Sequence, residues 1–189
     1  MEHAKELVRA ISAEYPFYYA NGNHEYRIYR EPQTYGKMGA SYRAFLKGNH
    51  VRILENGSVL LPEYGIRITG LDLPREYYQK LDRTKLESKT ISRMVGHADR
   101  NDFQVLLAHN PVFFDAYAGW GADLTLSGHI HGGIVRIPGI GGVISTSYRL
   151  FPKYDGGYYE QNQKKMIVSR GWAAYNSGTA VQSGGACGH

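Results

Sequence analysis

One pattern restricts the fold of this chain more than any other: three short runs that we predict to be strands each end directly in side chains that can bind a metal ion. The runs at 15–20, 103–108 and 122–127 precede Asn-Gly-Asn-His-Glu at 21–25, His-Asn-Pro at 109–111 and Gly-His-Ile-His-Gly-Gly at 128–133. Neutral imidazoles and amide oxygens suit divalent zinc, manganese or iron. Open α/β sheets bind ligands beyond the carboxyl ends of their strands. The pattern therefore predicts an α/β fold with a site at one sheet edge.

The rest of the chain also has a mixed α/β pattern. Apolar residues at helical spacing predict helices at 2–13 and 36–47, and a segment that is at least partly helical at 75–95. Further strands are predicted at 51–54, 59–61 and 65–70, and short strands and turns at 133–170. The dipeptide Asn56-Gly57 predicts a hairpin that pairs the strand at 51–54 with the strand at 59–61.

Composition and charge exclude several classes of protein. The chain has 189 residues, 42% of them hydrophobic and 21% charged, as in one globular domain. Its single cysteine, Cys187, excludes an internal disulfide and a cysteine-based zinc site. The net charge of +5 comes without a dense cluster of Lys and Arg, so nothing specific indicates a nucleic-acid partner. The sequence shows neither a membrane-length apolar run nor a signal peptide, and taken literally it predicts a cytoplasmic protein.

Each metal-capable motif has a structural interpretation when it is taken alone. The pair His129 and His131 is weak evidence by itself, and an isolated His109 is typical of a hydrogen-bonded histidine at a strand end. Gly-Asn-His occurs twice, at 22–24 and at 48–50. The second copy ends a predicted helix, where Gly48 acts as a stop signal, so we interpret His50 as structural. The three motifs together, each after a strand, favour a functional site over these separate explanations.

As a set, the motifs at 22–25, 108–111 and 128–133 closely resemble those of the calcineurin-like metallophosphoesterases. The segments 134–138 and 168–171 resemble the bacterial, envelope-type branch of that family. The resemblance covers roughly residues 1–171. It implies an α/β/β/α sandwich, a phosphorylated substrate and a cofactor of two divalent metal ions, which are Mn, Zn or Fe.

The resemblance also implies a role for each site residue. Asn23, His109 and His129 correspond to ligands of one metal ion, and His131 corresponds to a ligand of the other. His24 corresponds to the histidine that contacts the scissile phosphate and protonates the leaving group. Glu25 is interpreted as a helix-capping or ion-pairing residue rather than a ligand.

The sequence departs from the family at both ends. The motifs Asp-x-His and Gly-Asp-x-x-Asp, which supply the bridging and first-metal carboxylates, do not occur here. We therefore expect an incomplete phosphoesterase domain at 1–172 that lacks its amino-terminal strands. The polar, Gly-rich segment 173–189 lacks a strand pattern, and we expect it to be a disordered or frameshifted tail.

Three functional hypotheses follow. The first is a fragment of a metal-dependent phosphoesterase, acting on monoesters or diesters, with impaired activity. The second is a non-catalytic module that binds a phosphorylated ligand or a protein on the same scaffold. The third is a single-metal or structural histidine cluster without phosphoester chemistry. If a missing amino terminus carried a targeting signal, the complete protein would be membrane-associated or exported rather than cytoplasmic.

Overall fold

A computed structural model describes residues 2–79, 84–129, 135–137, 141–144 and 153–169. The helices are α1 (Glu2–Ser12), α2 (Asn23–Arg30), α3 (Pro32–Tyr35), α4 (Met38–Gly48), α5 (Ser88–Val95) and α6 (Phe114–Trp120), with 3-10 turns at Arg75–Tyr78 and Pro111–Phe113. The strands are β1 (Tyr18–Tyr19), β2 (Arg52–Ile53), β3 (Gly57–Leu61), β4 (Ile66–Leu71), β5 (Phe103–Ala108), β6 (Leu124–Ser127), β7 (Val135–Ile137), β8 (Gly141–Ile144), β9 (Gly157–Gln161) and β10 (Lys164–Val168). The mixed α/β architecture agrees with the prediction.

The main sheet has six strands in the order β3-β4-β5-β6-β10-β9. Its four central strands are parallel, and β3 and β9 pair antiparallel at the two edges. Because β5 and β6 are parallel neighbours, their carboxyl ends lie side by side. This topology brings the motifs that begin at 109 and 128 to the same edge of the sheet.

One face of the main sheet is covered by helices α5 and α6. Leu71, Leu106 and Ala108 point to this side and pack with Ile91 of α5 and Tyr117 of α6 in the principal core. All five side chains are almost completely buried. A long apolar surface is thereby removed from water, which is the main source of stability for a chain of this size.

The opposite face of the main sheet is apolar but largely open among the described residues. Strand register places Phe103, Leu126, Ile167 and Tyr158 on this face, with exposed fractions of 46%, 38%, 45% and 57%. Exposed apolar surface of this extent normally marks a place where another structural layer or a partner packs.

A second, two-stranded parallel sheet, β1-β2, lies over part of the open face. It carries its own small core of Val8, Leu46 and Val51, which joins it to α1 and α4. The contact with the main sheet is close: a Cβ atom on Gly70 would lie 2.1 Å from the carbonyl oxygen of Leu54. The absence of a side chain at residue 70 therefore allows the two sheets to meet.

The predicted hairpin at Asn56-Gly57 is wrong. Residues 52 and 53 pair with β1, and β3 pairs with β4. Asn56 does turn the chain, with φ of 48°, but the turn leads from one sheet to the other. The β3-β4 hairpin closes instead at Gly65, where φ is 61°. The competing partner, Tyr18–Tyr19, lies more than 30 residues upstream of β2 and is invisible to a local turn signal.

Two further predictions concern residues that the structure does not describe. The tail predicted at 173–189 lies outside the described residues, as do residues 130–133 of the third motif. Within the described ranges, no helix is both long enough and apolar enough to cross a membrane.

Candidate functional site

His109 and His129 meet at the carboxyl ends of β5 and β6. Their ring centroids lie 5.1 Å apart with the planes at 69°. Two hydrogen bonds tie the loops together: Gly128 N donates to His109 O at 3.1 Å, and Ser127 Oγ donates to Ala108 O at 2.6 Å. His129 has a left-handed backbone, with φ of 69°, which is unfavourable for a non-glycine residue and typical of functional turns.

The loop after β1 reaches the same place. A Cβ atom on Gly22 would lie 3.0 Å from His109 Cε1 and 3.2 Å from His109 Nδ1, and 2.7 Å from Glu25 Oε2. The loop can approach the imidazole this closely because residue 22 has no side chain. Helix α2 begins at the next residue, so its first turn is placed beside His109.

Asn23 is the first residue of α2 and has a chemically informative side chain. Its Oδ1 atom is buried and has no hydrogen-bond partner within the described part of the chain. A buried acceptor without a partner costs about 1–3 kcal/mol. An amide oxygen in this position is suited to a cation or another donor that enters the site.

His24 follows in the first turn of α2 and is exposed to solvent. Gly22, whose backbone is extended, is the N-cap residue of α2, and no side chain caps the amino terminus of the helix. The first backbone N–H groups of a helix have no partner inside the helix and attract anions. His24 and these N–H groups together present donors at the mouth of the site.

His131 and His50 are the other two histidines for which the sequence predicts a role. His131 lies outside the described residues, so its position relative to His109 and His129 stays a prediction. His50 is exposed and follows α4, where its backbone N–H donates to Lys47 O. Because β1 and β2 are parallel, His50 lies before β2 at the opposite end of the strand pair from Asn23.

A buried amide, Asn21, fixes the end of β1. Its Nδ2 donates to Asp72 Oδ2 at 2.7 Å and to Glu55 Oε1 at 2.9 Å, and the residue is 3% exposed. Asp72 is held in turn by a bond of 2.9 Å from its backbone N–H to Asn56 Oδ1. This network anchors the loop that carries Asn23 and His24 to the segment after β4.

Burial raises the pKa of Asp72 to about 6, with a further rise from Glu55 and an opposing effect of the Asn21 hydrogen bond. The folded chain therefore binds a proton on Asp72 between pH 4 and 6 that the unfolded chain has lost. This contribution to stability is present below pH 4 and is lost as the pH rises through 6.

We expect Asp72→Asn to remove this pH dependence, because asparagine can still accept the Asn21 bond and carries no charge. In urea unfolding of the metal-free protein, the free energy of unfolding of wild type should fall by about 1–2 kcal/mol relative to that of the variant between pH 4 and 7. This loss is smaller than the full pKa shift would give, because the carboxyl group is partly hydrated. Asp115→Asn, at an exposed position of α6, is the control. Parallel pH curves for wild type and Asp72→Asn would contradict the assignment.

Sequence reasoning missed the supporting residues of the site. Asn21 is part of the recognised motif at 21–25, but its bond to Asp72 was not predicted because it spans 51 positions. Tyr78, whose ring lies against both imidazoles, was not identified because one tyrosine among 16 carries no local signal. Asn110 belonged to a recognised motif, but its role is structural: its Nδ2 donates to Tyr77 O at 3.0 Å.

An open cleft of about 300 Å³ adjoins the site. One wall is formed by β1 and the loop after it, from Tyr18 to Asn21. The other wall is formed by the ends of β5 and β6, including Leu107, His109 and Leu126. The cleft therefore separates the small sheet from the open face of the main sheet and leads to the histidine pair.

The donors present fit part of a metal site. Two imidazoles and one buried amide oxygen are suitable ligands for a borderline divalent ion. Across the described ranges, however, no three His, Cys, Asp or Glu side chains are grouped so that they could hold an ion. A protein site for zinc uses three or four protein ligands, so the two imidazoles and the amide oxygen reach the lower number and one more donor would complete a four-ligand site.

Comparisons with known proteins agree with this chemistry at a coarse level. The chain is 30% identical over 115 residues to an uncharacterized metallophosphoesterase, YkuE, of Bacillus subtilis (strain 168). The match covers 54% of this chain and 40% of the relative, so the chain spans less than half of the protein it matches. Neither a family model nor a solved structure matches the sequence. This partial similarity supports a relationship to metallophosphoesterases, with which the mixed α/β sheet is compatible.

Proposed function

We propose that this chain is part of a calcineurin-like metallophosphoesterase that hydrolyses phosphomonoesters or phosphodiesters with two divalent ions. The observation that carries the proposal is the meeting of His109, His129 and the first turn of α2 at the end of one cleft. Segments 134–138 and 168–171 favour the bacterial, envelope-type branch. The proposed ions are Mn, Zn or Fe.

Each residue of the site has a defined task in this proposal. Asn23, His109 and His129 hold one ion and His131 contributes to the second. Bound ions of this kind polarise phosphoryl oxygens and activate water. The free N–H groups of α2 bind phosphate oxygens, and His24 gives a proton to the oxygen of the leaving group.

We also propose that a further β layer completes the sandwich. Two observations support it: β1 has one strand partner, β2, among the described residues, and the main sheet beside it exposes Phe103, Leu126 and Ile167. A strand added to β1 would cover this apolar face. It would also reach the cleft, where the carboxylates of Asp-x-His and Gly-Asp-x-x-Asp motifs would lie near the histidines.

Electrostatics explains why the second layer matters for activity. Two divalent ions repel one another strongly at short distance unless anionic ligands lie between them. The donors named in this chain, three imidazoles and one amide, are all neutral. Without a bridging carboxylate the chain would hold at most one ion, and the chemistry that needs two ions would be lost.

A non-catalytic module that binds a phosphorylated ligand is the second candidate. The incomplete set of ligands in the described part of the chain favours it, because an exposed histidine at a helix amino terminus can bind a phosphate without metal.

The experiment that decides between the two is hydrolysis of an aryl phosphate ester with added Mn²⁺ or Zn²⁺. We expect little or no turnover from the 189-residue chain and metal-dependent turnover from a longer form that begins upstream of Met1 and supplies the two carboxylate motifs. Phosphate binding by both forms with turnover by neither would favour the non-catalytic module. Robust metal-dependent turnover by the 189-residue chain would contradict the need for a second layer.

A further inference from the structure

We propose that Tyr78 is a positioning residue that fixes the imidazole planes of His109 and His129 so that both can bind one ion. This inference rests on the proposed function, since it assigns a purpose to the histidine pair. The Tyr78 centroid lies 5.3 Å from that of His129, with the rings edge to face at 64°, and 6.3 Å from that of His109, tilted by 49°. The three aromatic rings therefore form one contiguous cluster.

The two histidines lie on different loops, and Tyr78 belongs to a third segment whose ring contacts both of them. His109 lies beside Gly22 and Gly128, and Cβ atoms built on these glycines would come within 3.0 Å and 3.6 Å of its ring. These glycines bring the neighbouring backbone close to the His109 ring. His129 follows Gly128 and has a left-handed backbone. Packing from a third segment can select one orientation for both rings.

Tyr78 is itself held rigidly, as a positioning residue must be. It ends the 3-10 turn Arg75–Tyr78, which packs against the principal core. Asn110, directly after His109, donates from Nδ2 to Tyr77 O at 3.0 Å, and the Tyr77 ring packs edge to face on Phe113 at 5.6 Å. The turn that carries Tyr78 is thus fastened to the same loop that carries His109. A shift of one would move the other.

The ring, rather than the hydroxyl group, carries this role. The Tyr78 ring contacts both histidines, edge to face with His129 and tilted with His109, and contacts of this kind orient aromatic groups. Tyr78→Phe should therefore keep the function, and Tyr78→Ala should lose it. Tyr78→Leu keeps most of the buried volume without an aromatic ring. It replaces Tyr78→Ala as the test variant if the alanine variant fails to fold.

The test uses the 189-residue chain and two readouts other than activity. Long-range ¹H–¹⁵N spectra of the metal-free protein report the imidazole environment of each histidine, and Co²⁺ titration reports affinity and ligand geometry through its visible absorption. The matched control is Tyr42→Ala, which removes a half-buried tyrosine that packs on Tyr19 and Phe45 in the small core. His109→Ala is included to test the ion site itself.

We expect Tyr78→Ala to shift the signals of both histidines and to weaken Co²⁺ binding about 10-fold or more, as substitutions behind metal ligands do. Tyr78→Phe and Tyr42→Ala should resemble wild type. Unchanged Co²⁺ affinity in both Tyr78→Ala and Tyr78→Leu would overturn the inference, and so would a loss in Tyr78→Phe equal to that in Tyr78→Ala. If His109→Ala binds Co²⁺ as wild type does, the proposed ion site fails, independently of Tyr78.

Discussion

Turnover of an aryl phosphate ester by the longer, metal-loaded form is expected to fall about 10²–10⁴-fold when His24 is replaced by alanine. His24 is exposed in the first turn of α2, which follows Gly22, the residue beside His109. Its proposed task is proton donation, which affects the rate and not the retention of the ions. Metal content, measured by elemental analysis, should therefore remain that of the unsubstituted protein.

The second Gly-Asn-His copy provides a control within the same chain. His50 has the same two preceding residues as His24 and is also exposed, but it lies at the opposite end of the β1-β2 pair. We expect His50→Ala to leave turnover within about two-fold of the starting value, as for a surface substitution. Equal losses in the two variants would contradict the assignment of the catalytic role to His24 and of a structural role to His50.

Gly70→Ala should be strongly destabilising, because among the glycines that the structure describes residue 70 has the closest neighbour at its Cβ position. The added Cβ would lie 2.1 Å from Leu54 O and 2.6 Å from Leu54 Cβ, so the backbone after β2 would have to move. Gly70 is buried in β4, between β3 and β5, and has no room to shift away. We expect a loss of about 3 kcal/mol or more in the free energy of unfolding, measured by urea denaturation.

Gly119→Ala is the matched control for Gly70→Ala. Its Cβ would lie 3.6 Å from Ser88 Cβ, an ordinary contact, and it belongs to helix α6. Alanine is favoured over glycine in a helix by about 0.5–1 kcal/mol, so this variant should be as stable as wild type or more stable. A Gly70→Ala variant with wild-type stability would show that the two sheets do not meet at Leu54.

The sequence predicted the elements whose signal is local. Strand β5 was placed at 103–108 and is found at Phe103–Ala108, because a mainly apolar run ends there in polar residues. Helices α1 and α4 agree with their predictions within one or two residues, since their apolar residues recur at helical spacing. The positions of His109 and His129 after neighbouring strands follow from the same local patterns.

Contacts between distant segments could not be predicted in this way. The pairing of β2 with β1 overrode a strong local turn signal at Asn56-Gly57, and β1 itself is two residues long, which is shorter than the predicted run at 15–20. The Asn21–Asp72 bond and the Tyr78 ring reach the site from other parts of the chain. Such residues have no spacing relative to the motifs that a sequence pattern could reveal.

The central claim is that this chain carries half of a metal centre built on His109 and His129. Calorimetric titration of the chelator-treated 189-residue chain with Zn²⁺ tests it most directly, with His50→Ala and His97→Ala as controls. We predict that His109→Ala and His129→Ala each weaken binding at least about 100-fold, since losing a ligand costs more than the ~10–100-fold loss from substitutions behind ligands. The controls should bind as wild type does. Equal affinities in all five proteins, or a loss confined to the controls, would contradict the account.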